Sequence, residues 1–325
     1  MASADRAAGP AADRGRDAER PSEIPAPGWL DILRRVRHRI VDDRLSIVAA
    51  GVAFYAVLAA FPALLALLAI GGLAFDPQRI PERLSGWNAT LSPEALQLAI
   101  GVLQGLADAR THRLGLSLGG SLLLAVWGAS LGIRMLMSAL NVTYGEKEKR
   151  RYVVRIGLAL LLTVGALCVA TVLIAAVVAS PALIRVIGLD GLPRQVFDIA
   201  RWPMIALMFW ASLLVMYRYG PSRTHPRWSW VGWGAFVATA LWLCGSALLS
   251  WYVNGFGRYD KSYGAVGLVV ILLVWFLLSA YAVLIGAEIN AEVEKQTRVD
   301  TTVGTARPIG QRGASAADTV GEGKH

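Results

Sequence analysis

Residues 49–70 read AAGVAFYAVLAAFPALLALLAI, and how this run is read decides the fold. Nearly every position is apolar, yet Tyr55 sits inside the run and Pro62 follows seven residues later. No charged residue occurs from 47 to 75. A helix needs about 20 apolar residues to cross a hydrocarbon core, so this stretch is long enough to span a bilayer. Further uncharged runs lie at 114–133, 156–184, 202–217, 228–257 and 262–287. With 55% hydrophobic residues, 17% charged residues and a mean hydropathy of +0.49, the chain is too apolar for an ordinary soluble domain.

The expected fold is all-α: a polytopic membrane protein with six transmembrane helices in a compact bundle. The spans fall at about 47–75, 114–133, 156–184, 202–217, 230–253 and 264–287. The run 202–217 is short, and Trp202 and Tyr217 at its ends suit an interfacial aromatic belt. Residues 28–295 form the transmembrane domain. Residues 1–27, rich in Ala, Arg, Asp, Pro and Gly and without an apolar h-region, and residues 296–325 are expected to be disordered cytoplasmic tails.

Charge sets the orientation. The segments before 47, at 134–155, at 218–227 and after 287 carry nine, six, three and five Lys or Arg residues. The alternate connections at 76–113, 180–201 and 252–261 carry four, three and two. The positive-inside rule therefore puts both termini in the cytoplasm, as an even number of spans requires. The same bias accounts for the sequence pI near 9.9 without nucleic-acid binding.

Two amphipathic helices are expected to flank the spans. In 28–47, Trp29, Leu33, Val36, Ile40 and Ile47 recur at helical spacing, with Arg34, Arg35, Arg37 and Arg39 on the remaining surface. Such a cationic helix suits the headgroup plane of the inner leaflet. In 92–109, Ser92 and Pro93 start a helix with Leu96, Ala99, Leu103 and Leu106 on one face. Small residues four apart (Ala56 and Ala60, Gly115 and Gly119, Gly128 and Gly132, Ala282 and Gly286) let helices approach closely. Cys168 and Cys244 fall inside predicted spans, where packing is the expected role.

Four stretches carry a family resemblance. They are AAGVAFYAVLAAFP (49–62), WGASLGIRMLMSALNVTYG (127–145), RYGPSRTHPRWSWVGWGAF (218–236) and YVNGFGRYDKSYGAVGLVVILLVWFLLSAYAVLIGAEINAE (252–292). In that order they resemble the YihY/BrkB family of bacterial inner-membrane proteins. The resemblance covers roughly residues 30–295. It implies six helices with cytoplasmic ends, as the run lengths and charges do independently. It also implies a role in envelope biology or envelope-lipid movement, under labels that include ribonuclease BN and virulence factor.

A ribonuclease needs clustered metal ligands. The four histidines, His38, His112, His225 and His325, are far apart in sequence, and the apolar runs hold no pair of carboxylates. No P-loop, H-E-x-x-H or G-x-S-x-G is present. The expectation is a protein that is not an enzyme and has no metal or cofactor.

Three groups of residues stand out. Tyr55 and Pro62 form a candidate hinge, or a kink tolerated by packing. Tyr252, Phe256, Tyr259 and Tyr263 form an outer aromatic cluster, either a membrane belt or a substrate contact. Arg134, Asn141, Glu288 and Asn290 all approach the cytoplasmic interface as a candidate polar path or gate. Arg134 and Glu288 are the first charges after their apolar runs, and a direct pair between them is expected, with Asn141 and Asn290 satisfying the rest. Snorkelling of Arg134 and simple helix termination at Glu288 are the plainer readings. Two functions remain open: a transporter or lipid-translocating protein, and a non-catalytic envelope scaffold that binds a partner. Membrane lipids are the expected partners in either case, alongside an envelope protein or a second copy of the chain.

Overall fold

The computed structural model describes residues 14–74, 115–186, 194–255 and 259–321. Helix α1 runs Ala26–Asp42, α2 Leu45–Ala74, α3 Gly115–Thr143, α4 Tyr152–Val186, α5 Arg194–Tyr219, α6 Trp228–Gly255 and α7 Tyr259–Glu294. A single turn, α8, covers Ser315–Asp318. Among the described residues the only β pairing is one antiparallel bridge between Pro226 and Thr302.

Among the described residues, five helices are long and apolar enough to cross a membrane, through Leu45–Leu67, Leu122–Thr143, Tyr152–Leu173, Trp228–Val253 and Val269–Glu294. The sixth expected span, 202–217, lies inside α5. That helix is not one of the five found among the described residues. The expected helix at 92–109 lies outside the described residues.

These helices invert the soluble pattern. Along α2 the small Ala59 and Ala66 are buried, while Phe54, Leu58, Phe61 and Leu65 are exposed on one stripe. In lipid, bulky apolar surface is well placed outside, and close packing is left to small residues.

The chain divides into two compact units: Met1–Phe54 with Arg134–Val154 and Met204–His325, and Tyr55–Ile133 with Arg155–Pro203. In the second, Gly128 lies against the Pro62 ring, where an added Cβ would come within 2.8 Å. A Cβ on Gly132 would sit 3.4 Å from that of Ala59. In the first unit, a Cβ on Gly234 would strike the carbonyl of Gly286, and one on Gly286 the carbonyl of Gly234. Two Trp–Ser hydrogen bonds then join α6 and α7. Trp242 Nε1 donates to Ser279 Oγ at 3.1 Å, and Trp275 Nε1 donates to Ser246 Oγ at 3.1 Å. Cys168 and Cys244 are free and exposed rather than packed.

The run 28–47 is not one leading helix. α1 ends at Asp42, Arg44 takes the left-handed conformation (φ 48°), and α2 begins at Leu45. The buried face of α1 also differs from the expected one. Ile32 and Val36 join Trp230, Ile289, Val293 and Ile24 in a core cluster, with Trp29 and Ile40 packed against it. Leu33 points outward, 54% exposed. This α1 face is therefore taken up by α6 and α7 rather than left for lipid.

The terminal segments are a second correction. Composition suggests disorder for 1–27 and 296–325, but the described parts, 14–27 and 296–321, are folded. The Thr297 hydroxyl donates to the Ala18 carbonyl at 2.7 Å, and the Arg298 N–H to the Arg16 carbonyl at 2.7 Å. Arg312 is buried, and its guanidinium donates to the carbonyls of Arg298, Val299, Arg307 and Ala317. The Asp318 carboxylate accepts the N–H groups of Gly310, Arg312 and Gly313. Side chains here replace the missing sheet and helix partners of the backbone.

Candidate functional site: the polar end of α7

The last two turns of α7 read GAEINAEVE (286–294), and every residue in them is buried. Four are polar: Glu288, Asn290, Glu292 and Glu294. Helical spacing puts Glu288 and Glu292 on one face and Asn290 and Glu294 on the opposite one.

The second face is closed and satisfied. The Asn290 side chain enters the backbone of α6: its Oδ1 accepts the Gly234 N–H at 2.8 Å, and its Nδ2 donates to the Val231 carbonyl at 3.2 Å. Glu294 takes both arms of Arg223, at 2.9 and 2.8 Å, and both side chains are 0% exposed. The Thr301 hydroxyl donates to the same carboxylate at 3.2 Å. Arg223 lies over the Tyr144 ring, 4.1 Å from its centroid. Burial opposes the Arg223 charge, but Glu294 outweighs that and holds the guanidinium above its ordinary value. Burial also pushes the Tyr144 hydroxyl well up, so it stays protonated.

The first face is different. Glu292 is held by three cations: Arg35 Nε at 2.6 Å, Lys295 Nζ at 2.6 Å and Arg39 Nε at 3.8 Å. Glu288, one turn earlier, is 0% exposed, and neither carboxyl oxygen has a hydrogen-bond partner among the described residues. The ionisable groups acting on it are Asp43, Lys295 and Glu292. The expected pair with Arg134 is therefore not formed. Arg134 is half-buried and makes other interactions. Asn141 is also elsewhere. Its Oδ1 accepts the Ser222 N–H at 2.7 Å, and its Nδ2 donates to Glu148 at 3.0 Å, joining the end of α3 to the 220–227 connection.

Beyond Glu292 a cavity of about 810 Å³ opens. One wall is α1, with Asp31, Arg34, Arg35, Arg37, His38, Arg39, Asp42 and Asp43. The others are Val142–Gly145 at the end of α3, Glu292 and Lys295 of α7, and Ser315 and Thr319–Gly321 of the C-terminal segment. All of these residues belong to one compact unit.

The other sequence candidates are not among the residues that line this cavity. Tyr55 is 38% exposed, and Pro62 sits within α2 against Gly128. Tyr252 is 46% exposed; Phe256 and the side chains of Tyr259 and Tyr263 lie outside the described residues. Among the described residues no group of three or more His, Cys, Asp or Glu side chains is arranged to hold a metal ion. The Arg223–Glu294 pair and the cavity were missed by sequence reasoning. A signal was present in P-S-R (221–223) and in the four polar residues of 286–294, but their 71-residue separation hides the contact.

Apolar helices ending in a buried polar layer define a multi-pass helical membrane protein. The family model described as Virulence factor BrkB matches residues 36–308, and the chain belongs to that family. All four stretches that carried the resemblance fall inside the match. The chain is 27% identical over 259 residues to the Bacillus subtilis (strain 168) "Putative ribonuclease-like protein YfkH", covering 77% of this chain and 90% of the relative. It is 29% identical over 290 residues to a "UPF0761 membrane protein" of Delftia acidovorans, covering 84% of this chain and 66% of the relative. A "UPF0761 membrane protein" of Vibrio campbellii is 26% identical over 271 residues, 82% of each chain. No solved structure matches the chain.

Proposed function

We propose that this protein is a transporter, of the kind that moves a lipid or another amphiphile, in the bacterial inner membrane. Both termini are cytoplasmic in this reading, and α5 serves as the sixth span. The observation that carries it is the polar end of α7 facing a roomy, partly charged cavity. Buried ionisable groups at a membrane-helix end are costly and characteristically line transport routes. In this reading the cavity is the inner vestibule, with Glu292 in its wall and Glu288 one turn away on the same face of α7. The Lys and Arg counts on alternate connections support the orientation. The reading includes no catalysis, and the ribonuclease-like name belongs to the Bacillus relative.

The scaffold reading has one observation in its favour. The folded terminal segments give this end of the protein a shaped surface that a partner could recognise. Reconstitution separates the two. A transporter accelerates transbilayer movement of labelled lipid in proteoliposomes over protein-free vesicles, and Glu292→Gln slows it. Equal rates with and without protein, for anionic and zwitterionic lipids alike, would remove the transport reading. Orientation is checked by single cysteines at Ser22, Asn88 and Ser315 in a background lacking Cys168 and Cys244. Only Asn88→Cys is expected to react with an impermeant reagent from outside.

A further inference from the structure

We infer that the cavity bounded by α1, α3, α7 and the C-terminal segment is a phosphate-binding site, with Arg34 and Arg37 as the groups that engage the ligand. The inference deepens the transport reading and rests on it for its place in a substrate path.

The cations of the cavity are not equally committed. Arg35 donates to the Glu292 carboxylate and carbonyl and to Gln296 Oε1. Lys295 is bound to Glu292. Arg39 stands 3.8 Å from Glu292 and 4.0 Å from Asp43. Arg34 and Arg37 line the same cavity, are exposed, and make no hydrogen bond or ion pair among the described residues. They are three residues apart on α1, so their guanidinium groups rise from one helix face. Nor do the lining acids use up this charge. Asp31 is neutralised from behind by Arg14 at 2.9 Å, and Glu292 already serves several cations. The lining therefore keeps a surplus of positive charge, concentrated on two free guanidinium groups.

Guanidinium planes match the paired oxygens of a phosphate, and they do so best where bulk water is partly excluded. The volume falls within the range of about 300–1,000 Å³ usual for small-ligand sites. Enclosure also separates this site from a helix that merely rests on an anionic surface. Ser315 and Thr319–Gly321 of the C-terminal segment complete the lining, and the Gly321 backbone lies against the Arg35 guanidinium. Asp42 and Asp43 in the same lining disfavour an extended polyanion. The fitting ligand is a single phosphate group, carried by a lipid headgroup or by a soluble phosphate ester.

The test uses the whole protein purified in detergent. Thermal stability is followed while short-chain phosphatidylglycerol, short-chain phosphatidylcholine or inorganic phosphate is added. A saturable rise with phosphatidylglycerol alone assigns the site to an anionic lipid headgroup; a rise with inorganic phosphate that competes with lipid assigns it to a soluble phosphate. The double variant Arg34→Gln/Arg37→Gln should weaken either response by about tenfold or more, and the exposed Arg151→Gln should leave it unchanged. Arginine modification of the wild-type protein by phenylglyoxal provides a readout without variants: bound ligand should protect Arg34 and Arg37 selectively. No response to any of the three ligands, or a response and protection pattern indifferent to Arg34 and Arg37, overturns the site. Binding without lipid movement in vesicles would keep the site and remove the transport reading. Movement unaffected by the double variant, with no binding, would do the reverse.

Discussion

Two glutamates six residues apart on α7 have opposite surroundings. Glu294 is fully buried and fully matched, by both arms of Arg223 and by Thr301. Glu288 is as deeply buried and has no hydrogen-bond partner among the described residues. A matched buried carboxylate is explained by the structure it fastens. An unmatched one is a cost the fold carries, and such costs gather where a protein works rather than where it is held together. The contrast divides this end of the molecule into a fastened half, with α6, the 220–227 connection and the C-terminal segment, and a half facing α1 and the cavity.

The largest effect should come from breaking the fastened half. Arg223→Met strands Glu294 without its partner, and such losses typically cost about 3–5 kcal/mol. Thermal unfolding in detergent reads it, and Arg223→Met/Glu294→Leu should recover most of the loss. A single variant as stable as wild type would show that Glu294 does not depend on Arg223. Asn290→Ala comes next. It leaves the Val231 carbonyl without its side-chain donor and the Gly234 N–H without its side-chain acceptor, at about 1–3 kcal/mol, with faster hydrogen exchange near Gly234.

Acid should loosen the C-terminal segment more locally. Burial works against the Asp300 charge, but the N–H groups of Thr302 and Arg307, at 2.9 Å each, outweigh it and hold the carboxyl below its usual value. A depressed carboxyl contributes stability above its unfolded pKa, near 3.9, and loses it as pH falls through the lower folded value. Protease sensitivity of 296–321 should rise in that acid range. Asp300→Asn should be sensitive already at neutral pH and show little further change.

The smallest effect should be at Glu288. Gln keeps its shape and replaces a carboxyl whose oxygens have no hydrogen-bond partner among the described residues, so Glu288→Gln should change stability by less than about 1 kcal/mol. In a cycle with Arg134→Gln the coupling should stay within about 0.5 kcal/mol. Strong coupling would restore a direct pair and erase the contrast with Glu294.

How much was legible follows the same division. The spans were readable because lipid demands long uncharged runs, and 49–70 meets that demand unaided. Glu288 and Asn290 stood out as the polar residues ending the last apolar run. What surrounds them did not, because apolarity says where a helix lies and nothing about what its polar end meets. Arg134 and Glu288 matched in depth and charge, yet the bond that formed was Arg223 with Glu294. The terminal segments misled for another reason. Arg312, Asp318 and Thr297 order their surroundings by bonding backbone carbonyl and N–H groups, and such bonds leave no trace in hydrophobic composition.

The clasp between Gln296–Arg298 and Arg14–Ala18 joins positions about 280 residues apart. It therefore sets an order in time. Residues 14–18 leave the ribosome before any span is made, and residues 296–298 only after α7. Through the whole interval of membrane insertion the early segment must wait without its partner, while Arg223 is made well before Glu294. This end of the protein can close only once synthesis has passed it. Premature stops shortly after α7 should thus yield chains that insert fully and still fail quality control.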